Sequence, residues 1–245
     1  MDNIISNIPL FNKLLAIKDI SSMSDVEILN FIKGPLFELS LLIFIFGLLY
    51  KLFKILTLGI PKNRAKPKGS PTFSAIKMLL MKPIYVFGFR DVLTKRAITF
   101  LNGFLFHIFF ILLIFFIPWH AFIWDKLFSV ELPYFNGAIS NILAYGALVT
   151  LIILWVYRLV NPVTKLLTTF DEHFANFLIV AVLISGIIAN KWAGDGVYPT
   201  LLSLHILIAE LLIIYIPFSR LSHFMTYFIS TYLYGRSIGI SGARE

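Results

Sequence analysis

The sequence predicts an all-α integral membrane protein: a bundle of five transmembrane helices, N-terminus out and C-terminus in, preceded by an N-terminal interfacial helix. Three observations predict it. The chain is 58% hydrophobic and 14% charged over 245 residues, with 25 Phe, more apolar surface than a soluble domain of this size can bury. Five apolar segments reach the roughly 20 residues that an α-helix needs to cross a bilayer. The Lys and Arg residues fall mainly on one side of those segments, the asymmetry that sets orientation in a membrane.

Residues 1–34 carry Ile4, Ile5, Ile8, Leu10, Phe11, Leu14 and Leu15 and read as a short interfacial helix with a turn around Ser21–Ser24. Their scattered charges do not fit a cleavable signal peptide. The expected spans are Leu36 to Leu56, Ile98 to Trp124, Gly137 to Val160, Phe174 to Trp192, and a fifth that begins near Pro199, is apolar to Phe218 and continues as an amphipathic end to about Tyr232. The membrane domain is thus 35–232, and 233–245 is a cytoplasmic tail. The loop 58–97 holds Lys62, Arg64, Lys66, Lys68, Lys77, Lys82, Arg90, Lys95 and Arg96 against one acid, Asp91, so it is placed in the cytoplasm. Counting through the spans puts Arg158, Lys165, Arg220, Arg236 and Arg244 on that same side. The net charge of +8 is explained by this topology, and anionic lipid or a soluble partner can also use it. No Cys is present, which excludes disulfides, thiolate metal ligands, Cys-held iron–sulfur clusters and covalently attached c-type haem.

Four of the five His residues lie in two spans, two in each: His107 and His120, then His205 and His223. On one continuous helix His205 and His223 are five turns apart, on one face and about 27 Å from each other. In the expected orientation His107 and His223 sit toward the cytoplasm, and His120 and His205 toward the exterior. The levels match in crossed pairs. A haem iron takes two axial imidazoles from facing helices at similar depth, so the pattern points to two stacked bis-histidine b haems. The second span fits less well: thirteen residues rotate His120 about 140° from His107, and Pro118 offers a kink to correct it. His173 is the spare imidazole. Asp171 and Glu172 beside it suit a helix start, and its inner level makes it an alternative ligand to His107.

The stretch His205-Ile-Leu-Ile-Ala-Glu-Leu-Leu-Ile-Ile-Tyr-Ile-Pro-Phe-Ser-Arg-Leu-Ser-His223 resembles the last helix of the respiratory nitrate reductase gamma-subunit family. Its Pro217-to-His223 end is the most specific part. That family includes the membrane subunits of heterodisulfide reductases and of sulfite-reduction-linked electron-transfer complexes. In the second span the family's two histidines are closer than His107 and His120. The resemblance implies a dihaem cytochrome that moves electrons between a membrane quinol and a soluble iron–sulfur subunit in the cytoplasm.

Other polar residues suit the same task. Glu210, in the middle of the fifth span, is a candidate proton acceptor or hydrogen-bond partner for quinol, or else an interhelical hydrogen-bonding group. Lys126, just outside the second span, is a candidate quinol or propionate contact, or a snorkelling Lys. Arg220, three residues before His223, can clamp a haem propionate or anchor the interface. Trp119, Trp124 and Trp192 fit an outer aromatic belt. Gly103, Gly137, Gly146 and Gly186 let a helix or a macrocycle approach. Two other classes compete. A transporter or channel lacks support, since no inverted repeat is evident and Glu210 is nearly alone among intramembrane charges. A passive membrane anchor needs no histidines at matched depths.

Overall fold

The computed structural model describes residues 23–58, 66–88 and 97–242, and every regular element among them is helical. The elements are α1 (Asp25–Leu58), α2 (Pro71–Gly88), α3 (Ala97–Phe116), α4 (Pro118–Phe128), α5 (Gly137–Val160), α6 (Pro162–Leu167), α7 (Phe170–Lys191), α8 (Tyr198–Tyr215), two 3₁₀ turns (Ile216–Phe218 and Arg220–Ser222) and α9 (His223–Ser241). Five helices are long and apolar enough to cross a membrane: α1, α3, α5, α7, and α8 with its following turn. Their many exposed Leu, Ile and Phe side chains suit lipid contact. The protein is a multi-pass membrane protein.

The chain divides into two compact units. The first takes the described residues up to Ile43 and Ile98–Tyr215; the second takes those of Phe44–Ala97 and Ile216–Glu245.

In the first unit α7 packs on α5 and α8, and the start of α1 packs on α8. Helix α1 begins eleven residues earlier than the composition suggests. Ser24 caps it in a reciprocal box with Glu27, and the Gly34-Pro35 break signal is absorbed in a π-helical turn, Ile32–Leu36. The expected boundary at residue 34 therefore falls inside a helix; the interfacial helix expected over residues 1–22 lies outside the described residues. The second span also differs from expectation. It does not run on to Trp124 with a kink. Ile117 is extended (φ −91°, ψ 149°) and Pro118 starts a separate helix. Proline has no N–H to give the Ile114 carbonyl, and its ring clashes with that carbonyl if the helix continues. Helix α7 starts four residues before the expected Phe174, with Asp171 and Glu172 in its first turn as a helix start there implies and a capping box between Thr169 and Glu172.

In the second unit the expected continuation of the fifth helix is absent. The apolar helix stops at Tyr215, Ser219 is extended (φ −110°, ψ 179°), and a new helix begins at His223. The five-turn spacing of His205 and His223 therefore does not apply. Pro217 is again the cause, since it cannot donate to the Ile213 carbonyl. Lys51 from α1 holds the broken segment: its ammonium donates to the carbonyls of Pro217 (3.2 Å) and Ser219 (3.0 Å) and to the Ser222 hydroxyl. Gly47, one turn earlier, has its missing Cβ filled by the Pro217 ring.

The loop 58–97 contains α2, which packs antiparallel on α9. Two small residues, Gly235 and Gly239, make the close approach possible. A Cβ on Gly235 would lie 2.7 Å from the Met78 Cβ, and one on Gly239 2.6 Å from the Ser70 carbonyl. Backbone bonds from Lys68 to Ile240 and from Gly69 to Gly239 close the end of the pair. Lys82 bonds Thr231 and lies 5.0 Å from the centre of the Tyr227 ring. Helix α9 runs through the tail boundary expected at residue 232.

Candidate functional site

The break at Pro118 builds one half of the site. A helix leaves its last four carbonyls without intrahelical donors. At the end of α3 three of these are taken by groups that follow the break. His120 Nδ1 donates to the Leu113 carbonyl (2.8 Å), Trp124 Nε1 to Ile114 (2.8 Å), and the Phe135 N–H to Phe116 (2.8 Å). Trp124 is thus an internal strut, and only Trp119 and Trp192 are exposed as an aromatic belt requires.

The other half comes from α8 against α7. His205 Nδ1 lies 3.1 Å from the Ser185 hydroxyl. That hydroxyl gives its own hydrogen to the Val182 carbonyl at 3.0 Å, so it accepts from His205. Gly186, the next residue, makes room for the ring: a Cβ there would lie 2.9 Å from His205 Cε1.

The two imidazoles meet. Their centres are 6.3 Å apart and their planes are within 7° of parallel. Neither Nε2 has a hydrogen bond among the described residues. An imidazole nitrogen lies about 1.1 Å from its ring centre and bonds a metal at about 2.0 Å, so two imidazoles in line across one metal would have centres about 6.2 Å apart. The donor set also fits. Each ring gives its Nδ1–H to an oxygen, the arrangement that fixes tautomer and orientation in metal-binding histidines and leaves the Nε2 lone pair for the metal. Among the described residues no group of three or more His, Asp or Glu could hold a bare ion. A pair of imidazoles would be enough only for a metal that brings its other ligands with it, as the iron of a haem does.

The remaining histidines separate by tautomer. His107, exposed on α3, donates Nδ1–H to the Gly103 carbonyl (2.6 Å). His223, exposed at the start of α9, donates to the Arg220 carbonyl (3.1 Å). In the neutral ring each of these bonds keeps the proton on Nδ1. His173 is the opposite: Trp155 Nε1 donates to its Nδ1 at 3.0 Å, which puts the neutral ring's proton on Nε2. A metal at Nε2 would have to displace that proton. His107 belongs to the first unit and His223 to the second.

The other expected site residues are dispersed. Lys126 is exposed in the last turn of α4, where a cation is favourable at a helix C-terminus. Glu210 is 3% exposed, and both its oxygens lack a partner among the described residues. Five residues turn it about 140° from His205, so it does not share that face. Arg220 is exposed in the 3₁₀ turn ahead of His223. Gly146 seats the Phe109 ring, while Gly103 and Gly137 open onto space among the described residues. Ser185 escaped the sequence analysis because a lone Ser in an apolar span carries no signal until its neighbour is known.

No family model matches the chain, and no solved structure matches it. A protein of Nitratidesulfovibrio vulgaris is 28% identical over 203 residues, which cover 82% of this chain and 88% of that protein. The likeness is therefore to the chain as a whole rather than to one segment.

Proposed function

We propose that this protein is the membrane b-type cytochrome subunit of a respiratory oxidoreductase in the cytoplasmic membrane, oxidising quinol and delivering electrons to a cytoplasmic iron–sulfur subunit. The parallel His120 and His205 rings, 6.3 Å apart with both Nδ1 atoms held, are the observation that carries this reading. His120 and His205 hold the outer haem. His107 and His223 remain the sequence's candidate ligands for a second, inner haem, and Arg220 its candidate propionate contact. When bound, haem supplies one-electron redox chemistry; the chain supplies its ligands, its potential and a dry apolar surround. Quinol binds on the outer side, where Lys126 lies close in sequence to His120. The soluble partner docks on the basic side. The resemblance of Pro217 to His223 to the nitrate reductase gamma-subunit family supports the same reading.

The test is an absorbance spectrum of the purified protein. Dithionite reduction is expected to give the sharp α-band of a b-type cytochrome. A colourless preparation from haem-replete cells removes the proposal and leaves the transporter and passive-anchor classes.

A further inference from the structure

Glu210 occupies a different seam from the paired histidines. Asp25, at the start of α1, accepts a 2.7 Å hydrogen bond from the Thr200 hydroxyl near the start of α8. Both the first turns of α1 and its π-helical turn pack on α8, so the two helices run in the same direction. Seven to eleven residues separate Asp25 from the π turn Ile32–Leu36. The same interval from Thr200 spans 207–211, so Glu210 is level with that turn. Thr200, Ser203 and Glu210 lie within an arc of about 80° on α8.

The polar groups of this seam need partners that the described residues do not provide. Glu210 and Ser203 are 3% and 6% exposed, and neither Glu210 oxygen nor the Ser203 hydroxyl has a hydrogen bond among the described residues. Pro35, inside the π turn, brings no N–H of its own to this seam. Charges on the packed elements are engaged elsewhere or exposed. Asp25 is held by Thr200, Glu27 by Ser24, Asp171 by Tyr215, Glu172 by Thr169 and Arg158, and His173 by Trp155; Lys33 and Lys191 are exposed. An ionised carboxylate in an apolar span with no cation beside it is too costly to persist. Buried polar groups without protein partners are places for water or for a mobile proton.

We infer that Glu210 is a proton-binding site inside the membrane span, reached from the Asp25–Thr200 end through the seam between α1 and α8 and separate from the His120–His205 pair. The ligand is a proton, carried on a carboxylic acid, with the Ser203 hydroxyl lining the way. The inference does not depend on haem.

Infrared difference spectroscopy of the protein in lipid tests it. The wild type minus Glu210→Gln spectrum is expected to show the C=O stretch of a protonated carboxylic acid that shifts in deuterium oxide. Ser203→Ala is expected to slow that shift several-fold. Dicyclohexylcarbodiimide, which reacts with protonated acids in apolar surroundings, should give an adduct mapped to Glu210 in the wild type. This second readout holds even if the Gln variant fails to fold. Absence of both the band and the adduct overturns the site. A band whose exchange is unchanged by Ser203→Ala overturns the route. A colourless protein that retains the band would sink the cytochrome reading and leave this one standing.

Discussion

At the residue scale, the site depends on which imidazole nitrogen keeps its proton. The Ser185 hydroxyl accepts from His205 Nδ1 and passes its hydrogen to Val182, so it fixes both the tautomer and the ring plane. Ser185→Ala removes the acceptor. Loss of such a supporting partner typically costs about 10–100-fold in metal affinity. The expected outcome is a partial loss of one haem component, with a shifted midpoint potential for what remains. Redox titration reads both, and an unchanged titration would separate Ser185 from the ligand. Gly186→Val should remove the same component by driving a side chain against the His205 ring. His120→Ala and His205→Ala should each abolish that one component and spare the other; different survivors in the two variants would break the pairing. His173→Ala is expected to keep every haem, because the Trp155 hydrogen bond leaves the proton on its Nε2. The pairing of His120 with His205 was legible from depth alone. The means by which it is achieved was not, because hydrogen bonds to freed carbonyls depend on where a helix stops.

At the element scale, two prolines decide the architecture, and both are visible in the sequence as ambiguous signals. Pro118 and Pro217 each read as a kink inside a long apolar run, since hydropathy does not distinguish a bent helix from two helices. The outcome depends on groups remote in sequence that satisfy the freed carbonyls: Trp124 and the Phe135 N–H after the first break, and Lys51 at the second. The five spans themselves were legible because length and apolarity suffice in lipid. Helix α2 was hidden for the converse reason: it pairs with α9 through small residues rather than through a long apolar stripe. Gly235→Val tests this directly. The added carbons would meet Met78 and the Ser74 and Ala75 backbone. Overpacking of this kind costs about 1–3 kcal/mol. Thermal melting in detergent should fall, and proteolysis between α2 and α3 should quicken, while the His120–His205 component keeps its spectrum. Stability equal to wild type would refute the close α2–α9 approach. Lys51→Met should destabilise by a similar amount, about 1–3 kcal/mol, by leaving buried carbonyls of the 216–222 segment without a donor.

At the scale of the whole molecule, everything proposed about electron flow rests on which side His120 and His205 face. The orientation comes from the distribution of Lys and Arg, and the absence of Cys makes it open to a clean experiment, since every introduced thiol is then the only one. Tyr134, between α4 and α5, is 68% exposed, and Leu166, in α6, is 87% exposed. The N-out arrangement puts Tyr134 outside, near the level of the His120–His205 pair, and Leu166 in the cytoplasm. In right-side-out vesicles an impermeant maleimide should label Tyr134→Cys and spare Leu166→Cys until the membrane is opened. The reverse pattern would place the paired histidines toward the cytoplasm. Quinol protons would then be released on the wrong side for charge separation, and the basic surface would face away from any cytoplasmic partner. In the expected orientation a second measurement follows. A pyridine haemochrome assay should give about two haems per chain, because a single haem at the outer pair would leave electrons most of a membrane, on the order of 20 Å, from the soluble subunit. A reproducible ratio near one would remove His107 and His223 as ligands and leave the outer pair without a route inward.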